Sequence, residues 1–160
     1  MYTPIVGTLG YILSPNAEKV LLVHRNAREN DQHLGKYNGL GGKMRADEDV
    51  YSCMVREVRE EAGIICRDMR LRGTISWPGF GSDGEHWLGF IFLITSFDGI
   101  PRKCNEEGEL AWHRLDKLGE LPMWEGERCF LPLVFDDDPL PFHGHMPYEK
   151  GRPVSWRYFR

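Results

Sequence analysis

Residues 42–64 read Gly42-Lys43-Met44-Arg45-Ala46-Asp47-Glu48-Asp49-Val50-Tyr51-Ser52-Cys53-Met54-Val55-Arg56-Glu57-Val58-Arg59-Glu60-Glu61-Ala62-Gly63-Ile64. Residues 50–62 form the clearest helix in the chain: Asp49 suits the N-cap and Gly63 the position just past the C-terminus. On a helical wheel with Val50 at zero and 100° per residue, Glu57 falls at about 340°, Glu61 at about 20° and Glu60 at about 280°. Met54 and Cys53 fall at about 40° and 300°, so three carboxylates share the face that the apolar side chains tend to bury. Glu57 and Glu61 are also an i,i+4 like-charge pair, which costs roughly 0.2–0.5 kcal/mol even in water. Arg56 and Arg59 point elsewhere on the wheel, so a divalent cation is the simplest counter-charge. Oxygen-only ligands favour Mg²⁺ or Mn²⁺ over zinc. A solvated acidic helix face is the competing account of the same residues.

Just upstream, Asn38-Gly39-Leu40-Gly41-Gly42-Lys43 is a glycine cluster. Such backbone turns sharply and approaches neighbours closely. It can offer a carbonyl to a metal or N–H groups to a phosphate, with Lys43 as a point charge beside it. The spacing is not that of a phosphate-binding P-loop, because Met44 stands where Ser or Thr is required. As an ordinary feature, the cluster is simply a turn.

Outward from these residues, 5–13 and 19–23 read as strands, 26–36 as a polar loop, and 71–77 and 87–97 as two strands joined by a loop over 78–84. A short strand over 110–115, a turn over 118–122, a second helix over 125–135 and a closing hairpin complete the pattern. Strands and helices interleaved in this way predict a layered α/β domain spanning residues 1–160.

The composition agrees. Hydrophobic residues make up 41% and aromatics 12%, which excludes a disordered chain. Twenty Lys and Arg against 24 Asp and Glu give a net charge of −4, so no nucleic-acid partner is expected. The longest apolar stretch, 89–94, is far short of the ~20 residues that span a bilayer, so no membrane role is expected. Cys53, Cys66, Cys104 and Cys129 form no C-x-x-C pair, and the first residues lack the pattern of a secretory signal. Together these predict a cytoplasmic protein.

The stretch Gly42, five residues, Glu48, seven residues, Arg56-Glu57-Val58-Arg59-Glu60-Glu61-Ala62-Gly63-Ile64 resembles the Nudix box, G-x5-E-x7-R-E-U-x-E-E-x-G-U with U apolar. Every constrained position matches, which chance produces in fewer than about one in a million chains of this size. The resemblance implies an α/β/α sandwich around a mixed β-sheet, with the box forming a loop–helix–loop. It implies hydrolysis of a nucleoside diphosphate linked to another group, with Mg²⁺ or Mn²⁺ as cofactor. By position, Glu57, Glu60, Glu61 and the Gly41 carbonyl would ligate the metal, while Glu48 and Arg56 would hold the box together. Glu107, in the acidic loop Glu106-Glu107-Gly108-Glu109, would be a further ligand or the general base; an exposed acidic turn is the plainer account.

The flanks, Tyr37-Asn38-Gly39-Leu40-Gly41-Gly42-Lys43 and Met123-Trp124, are similar to the MutT-type branch of the family that acts on oxidised purine nucleoside triphosphates. That likeness implies a base site at Asn38, Trp124 and Glu127, with Lys43, Arg25 and Thr8 also facing substrate. An Asn amide both donates and accepts at a purine edge, and an indole stacks on a base. The chain departs from that branch where Gly126 and Glu127 replace an aspartate pair and Tyr37 replaces a tryptophan. Trp124 as core and Asn38 as a turn residue are the alternatives. The expected reaction converts a nucleoside triphosphate to its monophosphate and pyrophosphate, with a purine base and 8-oxo-dGTP as the oxidised candidate. Other nucleoside diphosphate derivatives, such as ADP-ribose or a dinucleoside polyphosphate, are the alternative substrates. A non-catalytic nucleotide-binding module is the alternative from another class, and the intact box carboxylates argue against it.

Overall fold

The computed structural model describes all 160 residues. In chain order the strands are β1 (Ile5–Leu13), β2 (Lys19–Arg25), β3 (Tyr37–Asn38), β4 (Leu40–Lys43), β5 (Ile65–Trp77), β6 (Trp87–Asp98), β7 (Gly108–Arg114), β8 (Phe142–His145), β9 (Tyr148–Glu149), β10 (Arg152–Pro153) and β11 (Arg157–Phe159). Helix α1 (Val50–Ala62) lies between β4 and β5, and α2 (Glu125–Phe135) follows a 3₁₀ turn at Leu115–Glu120. Nine strands form one mixed sheet, in which β1 runs parallel to β6 and β5 parallel to β8 while the other pairs are antiparallel. The remaining two, β9 and β10, form a small hairpin.

Both faces of the sheet are buried, and the strands alternate between two cores. In β2, Val20 and Leu22 join Tyr11, Ile75, Ile91 and Leu93 beneath the α2 residues Phe130, Leu131 and Val134. Leu21 and Val23 face the opposite way, with Leu40, Phe92 and Ile94, beneath the α1 residues Met54, Val58 and Ala62. A period-2 strand with helices on both faces must be apolar at every position, which is why Val20-Leu21-Leu22-Val23 is an unbroken apolar run. This is the expected α/β/α layering.

Helix α1 starts and stops where its caps dictate. The Asp49 carboxylate accepts from Ser52 N–H at 2.8 Å, and Gly63 turns left-handed at φ 72° with its N–H donating to the Arg59 carbonyl at 3.0 Å. The end of α2 is built differently. Buried Arg72 reaches from β5 and donates to the Leu133, Val134 and Asp138 carbonyls and to the Asp136 carboxylate. It thereby satisfies the helix's orphan carbonyls.

The structure departs from the sequence pattern in two places. The glycine cluster is not a turn. Strand β2 pairs with β1 only at Leu21↔Ile12 and Val20↔Leu13, after which the two strands diverge. β3 follows β2 at Val23↔Asn38, and β4 follows β1 from Gly7↔Lys43 to Gly10↔Leu40. The glycine-rich segment therefore fills the fork between two separating strands. Gly41 is required there because a Cβ would lie 1.9 Å from the Thr8 carbonyl oxygen. Strand β5 also begins at Ile65 rather than Leu71. Register shifts at Cys66/Asp68, Asp68/Met69 and Leu71/Gly73 break its alternation, and Arg67, Asp68 and Arg70 hide it among charges.

Candidate active site

The fork between β1 and β2 opens into a cleft of about 710 Å³. Thr8, Arg25, Asn38, Gly41, Lys43, Glu61, Glu107, Trp124 and Glu127 all line it. Residues 107 and 124 thus face the same space as the box, although more than forty positions separate each of them from Glu61. Glu48, Arg56, Glu57 and Glu60 do not line the cleft.

At the box, Arg56 does not point away from the acids as the wheel suggests. Its long side chain curls back. Nε donates to Glu48 Oε2 at 2.8 Å and Nη2 to Glu48 Oε1 at 2.6 Å, while Nη1 reaches Glu57 at 2.6 Å and Glu60 at 3.2 Å. Glu48 also accepts from Arg45 N–H at 2.9 Å, which ties the loop to the helix. The Arg56 hydrogen bonds, more than anything else, hold the Glu48 carboxyl down at about 2. Glu60 is half exposed and is further held by Arg45 at 3.4 Å.

Glu61 has a different environment. No arginine or lysine pairs with it, and its carboxylate accepts the Gly41 N–H at 3.3 Å. Burial, then the charges of Glu107 and Glu57, push its carboxyl well above the usual range. Burial likewise raises Glu107, against Arg25, whose Nη1 is 2.7 Å from Glu107 Oε2. Gly42 leaves room for this group, since a Cβ there would sit 2.6 Å from the Glu57 carboxyl carbon. No three acidic, His or Cys side chains close on a single point as a finished ligand set. The donors nevertheless suit a hard divalent cation: mutually repelling carboxylates, one of them without a cationic partner, stand beside glycine backbone that no side chain obstructs.

The other end of the cleft is aromatic. Phe80, from the β5–β6 loop, meets Trp124 edge-on at 6.0 Å and Tyr148 at 5.0 Å, with Trp77 and Trp87 behind it. Asn38 and Glu127 are buried here. With its amide assigned so that the nitrogen faces the two acceptors, Asn38 donates to Glu127 Oε1 at 3.2 Å and to the Tyr37 carbonyl at 2.8 Å, and Tyr11 Oη donates to Glu127 Oε2 at 3.3 Å. Burial raises the Glu127 carboxyl to about 8, so it is largely protonated at neutral pH. Trp124 precedes α2 with one edge and one face engaged: its indole N–H donates to His33 Nδ1, and Lys36 Nζ stands 4.7 Å from the ring centroid. Sequence reasoning missed Tyr11, His33, Phe80, Trp77 and Trp87. Tyr11 sits in an apolar strand like any core aromatic, and the other four meet only in three dimensions.

A profile of the NUDIX domain matches residues 3–134. The Nudix hydrolase YvcI of Bacillus subtilis is 33% identical over 135 residues, covering 82% of this chain and 80% of its own. The oxidized purine nucleoside triphosphate hydrolase of Danio rerio is 28% identical over 149 residues, covering 91% of each. The crystal structure of the MutT protein from Bacillus halodurans superposes with a TM-score of 0.81 at 28% identity, covering 96% of this chain and 97% of that one.

Proposed function

The chain belongs to the Nudix hydrolase family, and from that premise we propose that it converts a purine nucleoside triphosphate and water to the nucleoside monophosphate and pyrophosphate. Nudix enzymes act on nucleotide-derived small molecules and generally use a divalent metal ion, typically Mg²⁺. The observation that supports a purine triphosphate is the triad of Asn38, Glu127 and Trp124 in the same cleft as Glu61 and Glu107. The likeness to an oxidized purine nucleoside triphosphate hydrolase makes 8-oxo-dGTP the first oxidised substrate to test.

The residues divide the work. The Trp124 ring stacks on the base, a contact of ~1–3 kcal/mol. Asn38, whose two amide hydrogens go to Glu127 and the Tyr37 carbonyl, offers its oxygen as an acceptor to the base edge, and protonated Glu127 adds a hydroxyl donor. Aromatic walls keep water from the base. Arg25 and Lys43 meet phosphate oxygens, and Thr8 faces the sugar–phosphate path. Glu57 and Glu61, with the Gly41 carbonyl and Glu107, would hold the cation; Glu60 would join them by releasing Arg45 and Arg56. The bound cation would neutralise diphosphate charge and acidify a water. Of Glu61 and Glu107, which both line the cleft, one not engaged by the cation would be placed to take the proton from the attacking water. Glu48 and Arg56 keep the loop and helix in register.

One observation favours a second substrate class. The aromatic wall of Trp77, Phe80 and Trp87 extends beyond Trp124, and a cleft of about 710 Å³ admits more than one base. A dinucleoside polyphosphate or ADP-ribose would use that wall.

The test is Mg²⁺-dependent turnover of dGTP, 8-oxo-dGTP, dATP, dCTP and ADP-ribose side by side, with products identified. Purine triphosphates yielding monophosphate and pyrophosphate are expected to lead. Turnover of ADP-ribose alone would refute the base site while keeping the metal chemistry, and turnover of nothing would return the binding-module reading.

A further inference from the structure

The polar loop 26–36 is more than a connection. Glu107 Oε2 meets Arg25 Nη1 at 2.7 Å, and Arg25 Nε donates to Asp31 Oδ2 at 2.7 Å. The other Asp31 oxygen accepts the backbone N–H of His33 at 2.9 Å. His33 Nδ1 then accepts the indole N–H of Trp124. An unbroken chain of polar contacts therefore runs from the acidic end of the cleft to its aromatic end, carried by a loop that the flanking strands alone do not fix.

The tautomer follows from the network. The indole N–H can only donate, so Nδ1 accepts and the ring proton lies on Nε2; the exposed Gln32 amide, whose nitrogen stands 3.2 Å from Nε2, must turn its oxygen there to accept that proton. Burial, with the Arg25 charge, lowers the His33 pKa to about 4, so the acceptor persists across the neutral range. Lys36 covers one face of the same indole and Phe80 packs on its edge. An indole on a loop without such partners is free to turn about its χ angles. Here its N–H vector is pinned, so the ring plane is set before a ligand arrives.

We infer that His33 is a positioning residue for nucleobase recognition: through Nδ1 it fixes the Trp124 ring plane against which the base stacks, and the Arg25–Asp31 pair holds His33 in place. The inference rests on the base-stacking role given to Trp124 above. His33 lines the cleft and acts through the Trp124 indole, not on the phosphates or the reacting atoms, so its loss is expected in base affinity and not in the chemical step.

The experiment uses the full chain with Mg²⁺ and the substrates dGTP and dCTP. His33→Ala removes the acceptor and the ring. His33→Phe keeps the ring volume but removes the acceptor, so lost packing and lost hydrogen bonding separate. His33→Asn restores an acceptor close to the Nδ1 position. For Ala and Phe, KM for dGTP rises about five- to tenfold, part of the full stacking contribution, with kcat within about twofold and the preference over dCTP reduced. Asn returns KM to within about twofold of wild type. A second readout needs no substrate: the indole ¹H–¹⁵N resonance of Trp124, assigned by its loss in Trp124→Ala, shifts upfield in His33→Ala and His33→Phe. Unchanged KM and an unmoved resonance in both variants would overturn the inference. Trp124→Ala is the control on the premise. If it leaves the dGTP/dCTP ratio unchanged, the stacking role fails and this inference with it; if it alters the ratio while the His33 variants do not, only the role of His33 falls.

Discussion

Replacing Glu127 by Gln tests whether the aromatic end of the cleft holds a protonated carboxyl at neutral pH. Glu127 is 8% exposed, and burial raises its carboxyl from 4.5 to about 8. The folded chain therefore holds a proton that the unfolded chain has released across most of that interval. Since stability changes with pH as the difference in bound protons, the Glu127 contribution is complete below about pH 4.5 and is lost as pH rises to about 8. A shift of this size, at about 1.4 kcal/mol per pH unit, is worth about 3–5 kcal/mol, the lower figure allowing for water in the open cleft. Gln is neutral at every pH and close in shape, so Glu127→Gln removes this slope. Its oxygen can keep the Asn38 N–H bond while its N–H₂ faces the Tyr11 hydroxyl, which then accepts instead of donating. That exchange costs about 1 kcal/mol and is independent of pH. Urea unfolding of both proteins with a chelator present, from pH 5 to 8.5, gives the difference directly, and Glu61 titrates equally in both. The variant is expected to be slightly less stable at pH 5 and the more stable protein at pH 8.5. Parallel stability curves would refute the claim that Glu127 is held protonated.

Three further outcomes are expected. Glu61→Gln retains the fold but lowers kcat about a thousandfold or more, measured as Mg²⁺-dependent pyrophosphate release; a rate near wild type would remove Glu61 from the chemistry. Gly41→Ala drives a Cβ into the Thr8 carbonyl and forces β4 from β1, costing about 3 kcal/mol or more in chemical denaturation; an unaffected midpoint would contradict the close packing of the fork. Chelation with EDTA abolishes turnover and added Mg²⁺ restores it, while the far-UV circular dichroism stays unchanged because the hydrophobic cores form without the ion.

Much of the fold was legible because local rules govern it. Helix α1 runs over the predicted residues, since Asp49 and Gly63 cap it through contacts three and four residues away. Helix α2 also matches. The wheel that gathered Glu57, Glu60 and Glu61 treated side chains as points and so misplaced Arg56, whose guanidinium reaches back to three carboxylates. It also treated the three glutamates alike. In the structure Glu60 is turned out to Arg45, while Glu61 is turned inward beneath Gly41, a difference set by where β4 lies and not by the helix.

The family, the capped box helix, the doubly buried strands and the candidate residues are all readable along the chain, because each is written in spacing that the local backbone period converts into a shared face. Long-range packing makes the glycine cluster a strand wedged into the β1–β2 fork and turns Glu107, Trp124 and Glu127 to the space beside Glu61. The same packing brings His33 to the Trp124 indole. Those contacts join segments dozens of residues apart, and their geometry depends on where two strands diverge and how a loop is tied by Arg25 and Asp31, which no periodicity along the chain encodes.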